Sequence, residues 1–196
     1  MLTQIINGKI FTPQGWLEDG SVIIRDNHIL EVTNCDLPLT GAKQVDARGR
    51  YIVPGYVCMH AHGGGGCDFT ECTEEAFRTA IAAHLKHGAT TIFPTISSTS
   101  YENIKQGIAV CEKLMAEEES PIMGLHLEGP YLNPDYGSHS YANPWRGPID
   151  RDQFRALVDA AGRLAKVWTV APEREGLMPF LEYSLTMASA RVCIIL

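Results

Sequence analysis

The chain has no window of about 18 consecutive apolar residues, so it offers no spanning helix and no membrane partner is expected. It has no cluster of lysine and arginine either. In 196 residues, 16 Lys and Arg stand against 23 Asp and Glu, a formal net charge of −7. Nucleic-acid binding draws its affinity from clustered cations set against phosphates, so no nucleic-acid partner is expected. The N-terminus, MLTQIINGKI, lacks the basic and apolar regions of a signal peptide, which points to a cytoplasmic protein. Six cysteines are present (Cys35, Cys58, Cys67, Cys72, Cys111 and Cys193), but Cys67 and Cys72 do not make a CxxC pair. No zinc is assigned to them. A chain this rich in core residues needs no disulfide framework, and reduced thiols are expected.

What is present is ordinary globular composition, 45% hydrophobic and 20% charged. The first fifty residues are short β-rich runs (QIINGKIFT, SVIIRDNHILEVT, KQVDARGRYIVPG). Asn7-Gly8 and Asp26-Asn27 sit between apolar flanks, the setting of hairpin turns. Residues 1–50 therefore read as a small β-domain with too few strands to close a core alone.

From Tyr51 the pattern changes. Strand candidates YIVPGYVCMHAH, ATTIFPTIS, IMGLHLEG and AKVWTVAPE alternate with three segments of helical apolar spacing. Those segments are TEEAFRTAIAAHLKHG, SYENIKQGIAVCEKLMAEEES and DRDQFRALVDAAGRL. Thr73 and Ser100 supply starts for the first two helices, and Gly88 closes the first. An open doubly wound sheet and a (β/α)8 barrel both fit this alternation. The barrel is favoured because no GxGxxG turn follows the first strand. Polar residues also cluster at strand ends, where barrels keep their chemistry: His60, His62, Thr95, Glu128 and Glu173. A whole barrel takes about 250 residues, so residues 51–196 are expected to form an incomplete one, its first four to five strands.

Two segments carry chemistry. His60 and His62 close an apolar strand, and residues i and i+2 of a strand share a face, so both imidazoles can meet one divalent ion. Gly63–Gly66 follow, either to admit close backbone approach to a ligand or as a mobile loop. Glu128 ends the apolar strand of GLHLEGP, where a buried carboxylate calls for a cation. His84 and His87 on the first helix are read as surface or packing residues, Glu173 as a loop-orienting group, and Glu117–Glu119 as a solvated helix end.

Taken in order, NGKIFT, VPGYVCMHAHGGGGCDFT, GATTIFPTISSTS, GLHLEGPYLNP and TVAPE resemble the N-acetylglucosamine-6-phosphate deacetylase family of the amidohydrolase superfamily, as far as about Glu173. The resemblance implies a metal-dependent hydrolase whose (β/α)8 barrel carries a small β-sandwich built from both chain ends, only its first part being present here. It implies a phosphorylated amino-sugar substrate, the acetamide of N-acetylglucosamine 6-phosphate, and homodimeric full-length proteins. The cofactor would be zinc or iron, as one or two ions. Glu128 matches the ligand of the principal metal, and His60 and His62 match a pair that binds a second. Ser138 and His139 match a substrate-contacting segment, although Tyr136 stands where the family has a basic residue. The family's acid, an aspartate, and two further histidine ligands would fall beyond Leu196, so the 196 residues alone are expected to be inactive. The alternatives are a non-catalytic metal- or sugar-binding remnant and an amidohydrolase acting on another amide.

Overall fold

A computed structural model of the chain describes residues 1–35, 37–136, 144–187 and 191–194. The chain divides into two compact units, Met1–Pro54 and Gly55–Leu196.

The first unit is one five-stranded sheet of β1 (Leu2–Thr12), β2 (Gly15–Arg25), β3 (His28–Thr33), β4 (Lys43–Asp46) and β5 (Tyr51–Ile52). β1, β2 and β3 form an antiparallel meander, while β4 and β5 both lie parallel to β1. Asp26-Asn27 turns the chain from β2 into β3, as expected, with Arg25 opposite His28 and Asp26 at φ 54°. The Asn7-Gly8 expectation is corrected. Those residues lie inside β1 as a bulge, where pairing with β2 skips between Ile5 and Gly8. Asn7 takes φ 55°, a left-handed conformation asparagine tolerates, and the strand continues rather than reversing. A Cβ on Gly8 would lie 2.5 Å from Ile52 Cδ1, so glycine here serves close approach of β5. The reversal comes at Pro13-Gln14, with Thr12 paired to Gly15 at φ 118°. Inside the sheet the buried Gln4 amide donates to Ser21 Oγ and Leu37 O and accepts from Leu39 N–H, holding the loop before β4.

The second unit opens with β6 (Tyr56–Ala61). Pro54, with no N–H to give a ladder, separates it from β5, so the run YIVPGYVCMHAH divides between the two sheets. Two short strands, β7 (Gly63–Gly64) and β8 (Cys67–Asp68), precede α1 (Glu74–Lys86) and β9 (Ala89–Ser97). Next come α2 (Tyr101–Met115), β10 (Leu125–Glu128), α3 (Arg151–Ala161), β11 (Ala165–Val170), α4 (Met178–Met187) and β12 (Arg191–Ile194). The larger sheet runs β6-β9-β10-β11-β12, every pair parallel and every strand next to its predecessor. A doubly wound sheet reverses its strand order at a switch point. This order does not reverse, and it is that of successive strands in a (β/α) barrel.

The helices start where side chains satisfy their first amides. Thr73, Ser100 and Asp150 accept from Ala76, Asn103 and Gln153 N–H. Gly88, at φ 87°, follows the end of α1 and donates to Leu85 O. The acidic stretch after α2 is not merely solvated: Glu117 pairs with Arg78 of α1, which also holds Glu74. Lys113 reaches Glu74 as well, so α1 and α2 are laced together by charge. Beneath them, Ile92, Ile96, Leu125, Leu127 and Trp168 of the sheet are buried against helix residues such as Phe77, Ile104, Phe154 and Phe180.

Gly107 marks a close approach of α2 to the sheet: a Cβ there would lie 2.4 Å from Ile96 Cδ1 and 2.8 Å from Cys72 Sγ, both fully buried. Alanine gains about 1 kcal/mol of helix propensity, but overpacking a closed core costs about 1–3 kcal/mol. Gly107→Ala is therefore expected to lower stability by about 1 kcal/mol, and by no more than about 2 kcal/mol, in urea denaturation. A variant as stable as the parent would show that Ile96 and Cys72 can yield.

Candidate metal centre

The strand pairings decide which side chains meet. On β10, His126 lies beside Thr95 and Glu128 beside Ser97 of β9, so the polar residues of both strands share one face. Leu127 lies between Ile96 and Trp168 on the opposite face, toward the helices. β6 lies on the other side of β9 and brings His60, at its end, and His62, just beyond, to the same place.

His60, His62 and Glu128 converge, with one ligand atom from each lying within 4.8 Å of the others. His60 Nε2 is 3.0 Å from His62 Nε2 and 3.7 Å from Glu128 Oε1, and His62 Nε2 is 3.3 Å from Glu128 Oε2. Two ligands on a tetrahedral ion with bonds of about 2.0–2.1 Å stand about 3.3 Å apart. The three separations bracket that value, and the donor set suits a borderline divalent metal such as zinc or iron. At 3.0 Å the two imidazole nitrogens are within hydrogen-bond distance, and a cation between them would take a lone pair from each in place of that contact. The histidine side chains are about half exposed and Glu128 is 22% exposed, leaving the cluster open to small molecules.

Behind the cluster lies a buried hydrogen-bond chain. Ala61 N–H donates to Thr95 Oγ1 at 3.0 Å, Thr95 Oγ1 lies 3.0 Å from His126 Nδ1, and His126 Nε2 lies 2.8 Å from Thr169 Oγ1. Burial lowers the His126 pKa to about 4, helped by the nearby His60 and His62, so its ring is neutral at physiological pH. Its ring packs against that of His60 in a T-shaped pair, with centroids 4.6 Å apart at 80°. Ser97 Oγ lies 3.1 Å from His62 Nδ1 and 3.4 Å from Glu128 Oε2. Thr169, Ser97 and the depth of His126 were missed in the sequence. The i, i+2 rule that groups His60 with His62, and His126 with Glu128, in the sequence applies equally to Thr95/Ser97, and would have found Ser97.

The other sequence candidates fall elsewhere. Gly63–Gly66 form an ordered hairpin rather than a loose loop. Gly63-Gly64 pair with Cys67-Asp68 in a tight hairpin turned by Gly65 and Gly66, both at positive φ. His84 Nε2 lies 3.1 Å from Gly63 O and so braces that hairpin. His87 ends α1 away from the cluster. Glu173 accepts from Asn133 Nδ2 at 2.6 Å, which holds its carboxyl below the usual range and links two loops. Beside it Arg174 donates to Leu132 O, Trp145 O and Gly147 O, a clamp with no sequence signal. Ser138 and His139 lie outside the described residues.

The amidohydrolase family model matches residues 51–180. The N-acetylglucosamine-6-phosphate deacetylase of Haemophilus influenzae is 32% identical over 131 residues, which is 66% of this chain and 34% of that protein. The crystal structure of the enzyme of that name from Pasteurella multocida superposes with a TM-score of 0.84 at 21% identity, covering 99% of this chain and 50% of that one. A Mycobacterium smegmatis D267A mutant deacetylase, in complex with N-acetyl-D-glucosamine-6-phosphate, gives 0.81 at 24% identity, covering 98% and 49%. The chain thus spans about half the length of the structures it matches.

Thr95→Val keeps the shape of the side chain while leaving Ala61 N–H and His126 Nδ1 without their buried partner. At roughly 1–3 kcal/mol for each orphaned group, a loss of about 2–6 kcal/mol in urea denaturation is expected. A loss below about 0.5 kcal/mol would remove the hydrogen-bond chain from the account.

Proposed function

The chain belongs to the amidohydrolase family, and on that footing we propose that His60, His62 and Glu128 hold one divalent cation in an enzyme that hydrolyses the acetamide of N-acetylglucosamine 6-phosphate. The observation that carries this reading is the convergence of the three donors within 4.8 Å at the ends of neighbouring parallel strands. The names of the relatives supply the substrate, a phosphorylated amino sugar, and the products would be glucosamine 6-phosphate and acetate. A single shared ion fits the convergence better than separate ions on Glu128 and on the histidine pair. The chemistry such a cation supplies is a more acidic water and a polarised amide carbonyl.

The chain's own residues do the rest of what can be assigned. Glu128 contributes the charge that balances the cation, and the two imidazoles contribute neutral nitrogen donors. His126 remains neutral beneath them and keeps a second positive charge out of the site. Among the described residues this group contains no aspartate, so the proton needed by the leaving amine is not assigned to a residue here. Ser138 and His139, on the segment between β10 and α3, are assigned to the sugar on the resemblance alone.

The test uses the complete protein. Metal analysis should give about one equivalent of zinc or iron per chain, and chelation should abolish acetate release from N-acetylglucosamine 6-phosphate until metal is restored. Glu128→Gln should weaken metal binding by more than about 100-fold while circular dichroism stays unchanged. If Glu128→Gln retains both its metal and its rate, the reading fails.

A further inference from the structure

Ser97 ends β9 and lies directly beside Glu128 on β10. Its backbone is fixed independently of its side chain, because Ser97 N–H donates to Thr70 Oγ1 at 3.1 Å. The hydroxyl stands between two of the three candidate ligands, 3.1 Å from His62 Nδ1 and 3.4 Å from Glu128 Oε2.

Counting protons defines what it does there. A serine hydroxyl has one proton to donate and two lone pairs with which to accept. An ionised carboxylate only accepts, and Ser97 Oγ is placed to donate its proton to Glu128 Oε2. The contact with His62 is then a hydrogen bond only if Nδ1 carries hydrogen. A neutral imidazole has a single N–H, which leaves Nε2 with its lone pair. Nε2 is the nitrogen that faces His60 at 3.0 Å and Glu128 at 3.3 Å. The opposite tautomer would aim an N–H from Nε2 at the carboxylate and fill the direction a cation needs.

We infer that Ser97 is a positioning residue that fixes the tautomer of His62, keeping hydrogen on Nδ1 so that Nε2 is presented as a donor before any cation arrives. The two histidines are then oriented by different means: His60 by T-shaped packing against His126, and His62 by the Ser97 hydroxyl. This role rests on the reading of His60, His62 and Glu128 as cation ligands. It adds the residue that decides which nitrogen His62 offers.

The experiment takes the full-length protein, metal-free and labelled with nitrogen-15, at about pH 8, where an ordinary imidazole is neutral. Long-range proton–nitrogen correlation spectra read the tautomer of each ring, and His62 is assigned by its absence from the His62→Gln spectrum. The parent and Ser97→Thr should carry hydrogen on Nδ1 of His62, whereas Ser97→Ala should move much of it to Nε2. Titration with Zn²⁺ against a chromophoric chelator should show Ser97→Ala binding about 10–100-fold more weakly, with Ser97→Thr within about threefold of the parent. Hydrogen on Nε2 in the parent, or parental zinc affinity in Ser97→Ala, would overturn the role. So would a Ser97→Thr defect as large as that of alanine, because the side chain would then act by its size. Failure of the ligand reading has its own signature: the parent would bind no Zn²⁺ whatever its tautomer, and the inferred role would fall with it.

Discussion

Across four of the five parallel strands runs one continuous set of buried hydrogen bonds, from Ala61 N–H through Thr95 and His126 to Thr169. Each link joins one strand to the next, and the three side chains are at most 2% exposed, so water is not at hand to replace them. The hydrogen bonds of a parallel ladder repeat evenly along the strands. The ladder alone therefore does little to distinguish the native register from one slipped by two residues. The side-chain network makes that distinction, because a slip strands buried polar groups at roughly 1–3 kcal/mol each. The cluster above it depends on that register, since Glu128 meets the histidines only while His126 lies beside Thr95.

The same alternation divides the labour between the faces of the sheet. Ile96, Leu127 and Trp168 form one row of lateral neighbours turned toward the helices, and Trp168 meets Phe180 of α4 with ring centroids 5.2 Å apart. Ser97, Glu128 and Thr169 form the row one residue further on, on the opposite face. Fold and candidate site are thus written into the same strands at alternate positions. A residue that anchors the apolar face also fixes, through its two neighbours, where the polar face points.

Much of this was legible in the sequence, for physical reasons that can be named. The helices showed their apolar spacing and their caps. ATTIFPTIS was readable as a strand because β-branched residues crowd it, and HAH and HLE because two polar groups at the end of an apolar run are costly without a purpose. The Asn7-Gly8 bulge was not legible, because left-handed asparagine serves a bulge and a turn equally well and only the strand partners separate the two. The glycine run was ambiguous in the same way, since a tight hairpin and an open cradle both need residues without a Cβ. Ser97, Thr169 and the Arg174 clamp were hidden because serine, threonine and arginine are common on any surface. Only the strand register and the fold of the loops give them partners.

Strand spacing explains why the residues at this site have the sizes they do. Neighbouring strands stand about 4.8 Å apart, and β9 lies between β6 and β10, so the backbones that carry the histidines and Glu128 are about 9.5 Å apart. Two side chains can meet across that distance only if both are long. Imidazole from one side and a glutamate carboxylate from the other meet it, whereas an aspartate at 128 would end one carbon short. The strand between them must carry the reverse: a long side chain at position 97 would occupy the space the ligands share, while a serine stays below it and still reaches both. The long–short–long sequence across β6, β9 and β10 is therefore a geometric requirement of the cluster. It also makes the middle position the natural place for a hydroxyl that orients the two side chains meeting over it.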